Sequence, residues 1–391
     1  MKKIFFPILF LIISLYGSAQ YTLKLVITST PKPTVNVAQR AAEPVFVSGN
    51  FNSWNPQDDN YKLKPLGSRL SIVLKDLPAG TYAFKFTRGG WNKVETTADG
   101  RDIADRVVEL KGDMTQEFVV EGWKDDYPDK PKPYTATPQV KVLDSAFYMP
   151  QLGRKRRVWI YLPKGYATSK ASYPVLYMHD GQNLFNEQTA PFGEWGVDEA
   201  MDSLQKATGK QVIVVGIDNG GDKRMSEYNP YDFQNNKGEG EKYVQFIAET
   251  LKPYIDSKFR TQKEAAHTFT AGSSMGGLIS LYAVLKYPNV FGGAGIFSPA
   301  FWTAPQLFTD VEKTDWSGAR PKFFFYAGGK EGSSAADQAK MVADMKRMVT
   351  IIEGKKGNVN TTTIVNPLGQ HNEPTWRKQF PDFYKWLIGM L

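Results

Sequence analysis

The amino-acid sequence predicts an α/β fold, a doubly wound and mostly parallel sheet, preceded by an all-β sandwich domain. Between residues 20 and 124, short segments of alternating hydrophobicity are separated by turn-rich clusters, which is typical of a β-sandwich. From residue 140 to residue 391, strand-like runs alternate with helical stretches, which favours a parallel sheet with catalytic loops at the carboxyl ends of its strands. Residues 125–139 are rich in Pro and charge, as expected of a semi-rigid linker.

The composition excludes several kinds of site. The chain has 391 residues, a formal net charge of +8 and no cysteine, so disulfides, thiolate metal ligands and a cysteine nucleophile are excluded. Its basic residues are interspersed with acidic ones, so nucleic acid is not an expected partner. It contains only three histidines, which are widely spaced, and we therefore expect no metal site.

Residues 1–19 have the pattern of a secretory signal peptide. Lys2 and Lys3 precede an apolar run over residues 4–16, and small residues follow at positions 17–19. The apolar run is too short and wrongly flanked for a membrane anchor, and no second apolar segment is long enough to span a bilayer. We expect a secreted or periplasmic protein without a membrane span after removal of the signal.

The region 20–124 contains five segments that alternate like half-buried strands. They are residues 21–27, 45–47, 70–74, 82–86 and 117–120. Residues 47–56 (VSGNFNSWNP) and 77–86 (LPAGTYAFKF) resemble the starch- and glycogen-binding modules of the immunoglobulin-like type.

In those modules a Trp after the second motif commonly stacks on sugar, and Trp91 occupies a similar place, whereas Trp54 resembles a packing residue. An Asn-Arg pair of the modules is replaced here by Asp105 and Arg106. The resemblance implies glycan binding by Trp91, with a structural or partner-docking role of the domain as the alternative.

The region 140–391 alternates between strands and helices. The predicted strands are residues 157–162, 173–179, 211–217, 267–270, 321–329 and 361–367. The predicted helices are residues 197–208, 242–254, 278–285, 335–352 and 380–391.

A G-x-S-x-G motif with Ser274 at its centre lies between a predicted strand and a predicted helix. In an α/β-hydrolase this serine sits on a sharp strand-to-helix turn, where glycines avoid collisions with neighbouring elements. The N-terminus of the helix behind it favours developing negative charge. We predict that Ser274 is a nucleophile; the alternative is a plain structural turn.

A serine nucleophile needs a base, usually histidine, which comes last in the chain order of α/β-hydrolases. His371 follows the last predicted strand and fits that order. His267 lies at the wrong end of the strand that leads to the serine. We interpret His179, which precedes Asp180, as a residue that orients the oxyanion loop.

The acid of a catalytic triad should follow the strand after the serine unit. Glu331 lies immediately past the Phe-rich strand and is the first choice, although a solvated carboxylate at a helix N-terminus would look the same. Glu373, two residues after His371, is the alternative, and Asp337 is a weaker one.

An oxyanion needs two convergent backbone N–H donors. We predict one from Met275, which follows the nucleophile, and one from Gln182 or Gly181 in the early Asp-Gly loop.

Four segments carry a family resemblance: residues 178–185, 272–278, 297–302 and 371–373. Together they resemble the putative-esterase (esterase D-like) family, which includes enterochelin-type esterases and the carbohydrate esterases that remove feruloyl or acetyl groups from xylan. The resemblance implies a Ser–His–acid hydrolase without a cofactor. The acid of the family is commonly in a Gly-x-x-Asp or Gly-x-x-Glu turn, which residues 328–331 match.

We expect the substrate to be an ester-bearing polysaccharide or oligosaccharide, because a sugar-module-like domain precedes the esterase region. Candidate substrate contacts are His179, Asp180, Arg224, Phe301 and Trp302. Arg224 could face an anionic group or pair with Glu227, and Trp302 could stack on an aromatic acyl group or pack beneath a loop. The alternatives are a siderophore esterase and a non-catalytic glycan-binding protein.

Overall fold

The computed structural model describes residues 20–31, 43–127, 131–316, 318–332, 334–355 and 359–389. The predicted signal peptide lies outside these residues. The chain divides into two compact units, Met1–Lys130 and Pro131–Leu391.

The described part of the N-terminal unit is a β-sandwich. Its strands are β1 Gln20–Ser29, β2 Phe46–Gly49, β3 Lys64–Leu66, β4 Arg69–Pro78, β5 Gly80–Thr87, β6 Glu95–Thr96, β7 Arg106–Leu110, β8 Met114–Val119 and β9 Gly122–Trp123. A four-stranded sheet has the order β3-β4-β1-β8, a three-stranded sheet has the order β2-β5-β7, and β6 pairs with β9. Strand β1 is parallel to β8, and the other pairs are antiparallel.

The alternation of apolar and polar side chains along the strands explains the core of this unit. Leu23 and Leu25 of β1 point into the same apolar cluster as Phe84 and Phe86 of β5, because every second side chain of a strand faces the same side. The predicted all-β sandwich is thus confirmed, and each of the five predicted segments overlaps a strand. The other four strands are short or contain charged residues, so their sequences show little alternation of apolar and polar residues. Their conformation depends on pairing with neighbouring strands.

The second unit contains an eight-stranded sheet. Its strands are β10 Val140–Met149, β11 Arg154–Tyr161, β12 Val175–His179, β13 Ile213–Ile217, β14 Thr268–Ser273, β15 Gly293–Phe297, β16 Lys322–Gly328 and β17 Asn360–Asn366. They lie in the order β10-β11-β13-β12-β14-β15-β16-β17. Strand β11 is antiparallel to both of its neighbours, and the pairs from β13 to β17 are parallel.

Helices cover both faces of this sheet, whose apolar residues fall into two buried clusters. The predicted doubly wound, mostly parallel α/β fold is therefore confirmed. The helices are α1 Val197–Thr208, α2 Arg224–Glu227, α3 Gly240–Phe246, α4 Lys252–Lys258, α5 Met275–Lys286, α6 Gln306–Lys313, α7 Ala335–Glu353 and α8 Glu373–Leu387. The segment Ile247–Leu251 continues α3 into α4 as a π-helical turn.

Strands β10 and β15 and helices α2 and α6 were not predicted. The sequence of β15 is Gly-Ala-Gly-Ile-Phe, and glycine is depleted in strands. A Cβ atom on Gly295 would lie 2.4 Å from the ring of Phe383 in α8. Glycine at this position therefore allows α8 to pack closely on the sheet.

The predicted bounds of the last helix, residues 380–391, are wrong. Helix α8 begins at Glu373, because the Asn372 side chain accepts a hydrogen bond from the Thr375 amide and Pro374 stands in the first turn.

The second half of the predicted linker is not a spacer. The Thr135 hydroxyl donates to Glu194 at 2.7 Å, and the Thr137 amide donates to Asp198 at 2.6 Å. Residues 131–139 are therefore fixed to the second unit.

Candidate active site

Ser274 occupies a strained turn between β14, which ends at Ser273, and α5, which begins at Met275. Its backbone angles are φ 58° and ψ −119°, which non-glycine residues rarely adopt. A Cβ atom on Gly277 would lie 2.9 Å from the Phe297 carbonyl oxygen, so the turn is tightly packed against β15. This is the geometry that the G-x-S-x-G motif predicts.

Backbone hydrogen bonds hold the strained turn in place. The Ser274 amide donates to the Phe297 carbonyl at 2.9 Å, and the Ser274 carbonyl accepts from the Ala300 amide at 3.1 Å. The loop after β15 is therefore attached to both sides of residue 274. Strain persists only where the surroundings determine it in this way.

His371 lies in the loop between β17 and α8, with its side chain partly exposed. Its Nδ1 atom lies 3.1 Å from Oε2 of Glu331, which is fully buried. The two loops are joined by the Lys330 amide, which donates to the Gly369 carbonyl at 2.9 Å. The structure thus brings together the two residues that the sequence singled out as base and acid.

The other carboxylate oxygen of Glu331 is also held. Oε1 accepts a hydrogen bond from the Gly328 amide at 2.6 Å and one from the Ser298 hydroxyl at 2.5 Å. A Cβ atom on Gly328 would lie 2.3 Å from the Gly369 carbonyl oxygen, so only glycine fits at this point. One carboxylate oxygen is therefore occupied by fixed donors, and the other faces the imidazole.

Ser298 and Trp376 were not predicted to have a role. Trp376 Nε1 donates to the Ser298 hydroxyl at 2.8 Å, and the Trp376 ring meets the His371 ring edge-on at 5.1 Å. The signal for Ser298 was its place in the Phe-Ser-Pro segment at the end of an apolar run. No local pattern marks Trp376, since it lies within a helix that was predicted to start later.

Glu373, the alternative acid, is directed elsewhere. It is buried at the start of α8 and accepts a hydrogen bond from Asn183 Nδ2 at 3.2 Å. Burial, and then the nearby charge of Asp180, raise the pKa of Glu373 above its ordinary value. The Asp337 amide donates to the Ser334 hydroxyl, and this hydrogen bond caps the start of α7.

The predicted oxyanion donors lie at the ends of adjacent strands. Met275 is the first residue of α5, so its N–H has no acceptor within the helix. Gly181 and Gln182 belong to a single 3₁₀ turn, Gly181–Asn183, directly after β12. A Cβ atom on Gly181 would lie 2.8 Å from the backbone of Ile217, so glycine is needed for the loop to lie against β13.

Asp180 is buried and supports this loop through an ion pair with Arg224, although it was predicted to contact substrate. Arg224 Nε lies 2.7 Å from Oδ1 and Nη2 lies 2.9 Å from Oδ2, while Asn219 Nδ2 donates to Oδ1 at 2.8 Å. Burial alone would raise the pKa of Asp180, but the charge and hydrogen bonds of Arg224 lower it. The alternative pairing of Arg224 with Glu227 is wrong, because Glu227 is bound by Arg156.

Two further residues that were predicted to contact substrate are buried, so these predictions are wrong. His179 is 1% exposed, and its ring nitrogens lie 3.0 Å from the Tyr243 hydroxyl and 3.2 Å from the Thr270 hydroxyl. Burial lowers the pKa of His179 to about 4, so the ring is neutral near pH 7. Phe301 is 1% exposed and packs against Phe308, so neither side chain is available to a ligand.

Trp302 and Trp91 remain exposed. Trp302 is 51% exposed and packs edge-on against Phe233, with ring centroids 5.5 Å apart. Trp91 of the N-terminal unit is 43% exposed and lies 6.2 Å from the ring of Trp54. Each indole therefore offers a surface on which a flat group or a sugar ring could stack.

Arg106 of the N-terminal unit, by contrast, is engaged within the sandwich. Its guanidinium binds Glu95 through Nε and Nη2 and covers the ring of Phe118 at 4.9 Å.

In the parts of the chain that the structure describes, no helix is long and apolar enough to cross a membrane. The same described residues contain no group of three or more His, Asp or Glu side chains that could hold a metal ion.

The second unit is similar to proteins of a known family. The profile of the Esterase family, described as "Putative esterase", matches residues 149–387. The Bacillus subtilis protein called Uncharacterized protein YbbA is 26% identical over 243 residues, which are 60% of this chain and 93% of that protein. The endo-1,4-beta-xylanase/feruloyl esterase of Xylanibacter ruminicola is 27% identical over 224 residues, 53% of this chain and 28% of that protein.

A match in part of the N-terminal region is with an alpha-amylase of Niallia circulans, which is 39% identical over 87 residues, 22% of this chain and 7% of that protein.

Solved structures agree on the fold. A ferulic acid esterase has a TM-score of 0.51 and 19% identity, covering 65% of this chain and all of its own. The enterochelin esterase of Shigella flexneri has a TM-score of 0.53 and 16% identity, covering 88% of each chain. With the profile match over residues 149–387 and the eight-stranded sheet, the chain belongs to the Esterase family.

Proposed function

We propose that the protein is an exported serine carboxylic-ester hydrolase that removes feruloyl or acetyl groups from plant polysaccharide. Its family makes it a carboxylic ester hydrolase. The observation that supports the serine mechanism best is the 3.1 Å contact between His371 and a buried Glu331, at the same edge of the sheet as the strained turn of Ser274.

In the first half of the reaction, His371 removes the proton of the Ser274 hydroxyl as its oxygen attacks the ester carbonyl carbon. Glu331 accepts the hydrogen bond of the Nδ1–H group, which leaves Nε2 as the basic nitrogen and stabilises the imidazolium. The carbonyl oxygen becomes an oxyanion bound by the Met275 amide and by that of Gln182 or Gly181. The intermediate expels the sugar alcohol, which takes the proton from His371, and an acyl-serine remains.

In the second half, His371 removes a proton from water, whose oxygen attacks the acyl carbonyl carbon. The second tetrahedral intermediate breaks the bond to Ser274, and the serine oxygen recovers a proton from His371. The carboxylic acid leaves, and the enzyme returns to its starting state. No cofactor enters the balance of these steps.

The preference for a polysaccharide is supported by the N-terminal unit. Part of this region is similar to an alpha-amylase, and Trp91 presents an exposed indole beside Trp54. The exposed Trp302 supports an aromatic acyl group, since a feruloyl ring could stack on its free face. The signal-like pattern of residues 1–19 supports action outside the cytoplasm, where such polymers are found.

A siderophore esterase is the second candidate. The Shigella flexneri enterochelin esterase matches 88% of the chain, whereas the ferulic acid esterase matches 65%. Its likeness therefore extends beyond the catalytic unit. Arg224, whose side chain is 28% exposed, supplies a cation near the predicted oxyanion loop.

Turnover on p-nitrophenyl acetate, methyl ferulate and a catecholate trilactone separates these functions. We expect hydrolysis of the first two and none by Ser274→Ala, with Ser273→Ala as the matched control that loses far less. A clear preference for the trilactone would move the function to the siderophore branch. Failure on all three by folded protein would favour the non-catalytic glycan-binding alternative.

A further inference from the structure

Ser298 is buried directly behind the catalytic acid, at the end of β15. Its hydroxyl lies 2.5 Å from Glu331 Oε1 and 2.8 Å from Trp376 Nε1. An indole nitrogen can only donate a hydrogen bond, and an ionised carboxylate can only accept one. The direction of this chain is therefore determined: Trp376 donates to Ser298, and Ser298 donates its single proton to Glu331.

The backbone of Ser298 is also constrained. Its φ angle is 45°, in the left-handed region, and its amide donates to the Tyr326 carbonyl at 2.7 Å. Phe297, which precedes it, and Ala300, two residues after it, hydrogen bond to the backbone of Ser274. One short loop thus holds the turn of the nucleophile and aims a donor at the acid.

Trp376 connects the same chain to the base. Its indole is buried, stacks on Trp195 with ring centroids 5.6 Å apart and meets the His371 ring at 5.1 Å. The ring therefore bounds one side of the imidazole while its N–H fixes the Ser298 hydroxyl.

We propose that Ser298 and Trp376 are positioning residues that hold the Glu331 carboxylate in the orientation in which it binds His371. The proposal rests on the Ser274–His371–Glu331 mechanism proposed above. Without the Ser298 hydroxyl, Oε1 keeps only the Gly328 amide, and the carboxylate can rotate about its last side-chain bond. The imidazole would then lose its fixed tautomer, while the surface that binds substrate stays unchanged.

The test uses Ser298→Gly and Ser298→Ala in the full-length protein. Glycine adopts a positive φ without strain, so the first variant removes the hydroxyl with the least effect on the backbone. We expect kcat on p-nitrophenyl acetate to fall about 10- to 100-fold with KM nearly unchanged, the range for a lost hydrogen bond to a charged group. Trp376→Phe, which keeps a ring beside His371, should lose less.

Ser280→Ala is the matched control. Ser280 is also a buried serine of this unit, but its hydroxyl donates to the Gly276 carbonyl within α5 and has no contact with the acid. We expect its kcat to stay close to that of the wild type. An equal loss in Ser280→Ala and Ser298→Gly would mean that any buried hydroxyl matters equally, and the positioning role would be rejected.

A double-mutant cycle with Glu331→Gln decides whether Ser298 acts through the acid. Once the carboxylate is gone, removal of the Ser298 hydroxyl should have almost no further effect on kcat. If the losses of the two single variants multiply instead, Ser298 acts by another route and the proposal fails. If Glu331→Gln alone keeps wild-type kcat, the proposed triad fails, which is a different result from the failure of the positioning role.

Discussion

Arg224 binds both carboxylate oxygens of Asp180, with Nε 2.7 Å from Oδ1 and Nη2 2.9 Å from Oδ2. Asp180 has left-handed backbone angles, φ 56° and ψ 46°, and directly precedes the turn that carries Gly181 and Gln182. The ion pair therefore anchors the loop from which the second oxyanion donor is expected.

Arg224→Met should destabilise the protein by about 2–3 kcal/mol at pH 7. This loss of unfolding free energy should be smaller than the loss caused by breaking a fully buried ion pair, because the Arg224 side chain is partly exposed. Because the pKa of Asp180 is lower in the folded than in the unfolded protein, the ionised carboxylate stabilises the fold at pH values above the unfolded pKa of about 3.9. This stabilisation is lost as the pH falls through the folded pKa. Without Arg224, burial raises the pKa of Asp180, so the difference from the wild type in urea unfolding should shrink steadily as the pH falls from 7 to 3. A constant difference between pH 7 and pH 3 would contradict this account.

Glu331→Gln should lower kcat on a soluble ester by about 10²–10⁴-fold, because the amide no longer stabilises the imidazolium of His371. Glu373→Gln is the matched variant. Glu373 is also a buried carboxylate near the loop of His371, but its side chain accepts a hydrogen bond from Asn183. We expect a small loss for the second variant. The reverse order would make Glu373 the acid, and two small losses would indicate a Ser274–His371 dyad.

His179 should make the protein less stable as the pH falls. Its folded pKa of about 4 lies below the unfolded value of about 6.5, so the unfolded state takes up the proton first. Stability is then lost progressively between these values, by about 3 kcal/mol in all.

Urea unfolding of wild type and His179→Gln between pH 7 and pH 4 measures this effect, and the variant should show the smaller loss on acidification. Carboxyl groups such as Glu199, whose pKa burial and Asp198 raise to about 7, act in the opposite direction. They are shared by both proteins, so the difference between the two curves isolates His179. Parallel curves would show that the pKa of His179 does not differ between the folded and the unfolded state.

Trp302→Ala should raise KM for methyl ferulate about 2- to 10-fold and leave KM for p-nitrophenyl acetate nearly unchanged, because only the feruloyl group offers an aromatic acyl ring. Tyr148→Ala is a suitable control, since Tyr148 is 56% exposed on the edge strand β10. An equal rise in KM for both esters would show that Trp302 only packs within its loop and does not contact the feruloyl ring.

Activity should survive prolonged treatment with EDTA, since the proposed steps use only Ser274, His371, Glu331 and backbone amides. The measurement is turnover of p-nitrophenyl acetate before and after dialysis against the chelator. Loss of activity that Zn²⁺ or Ca²⁺ restores would show that the mechanism is wrong.

The sequence by itself determined the local features. The apolar runs predicted most strands of both units, and α1 occupies the residues that its pattern predicted. The G-x-S-x-G spacing predicted a sharp turn at Ser274, because a turn of that kind depends on the small residues beside it. Alternation of strands and helices was enough to predict a doubly wound sheet, since parallel neighbours need crossover connections.

Only the tertiary structure decided which side chains meet at the edge of that sheet. Glu331 lies 40 residues from His371 in the chain, Asp180 lies 44 residues from Arg224, and Ser298 lies 78 residues from Trp376. Chain order made Glu331 the first choice over Glu373, but local patterns cannot show which of the two carboxylates contacts His371. The choice depends on which strand ends are neighbours, and strand order follows from how the whole sheet packs beneath its helices.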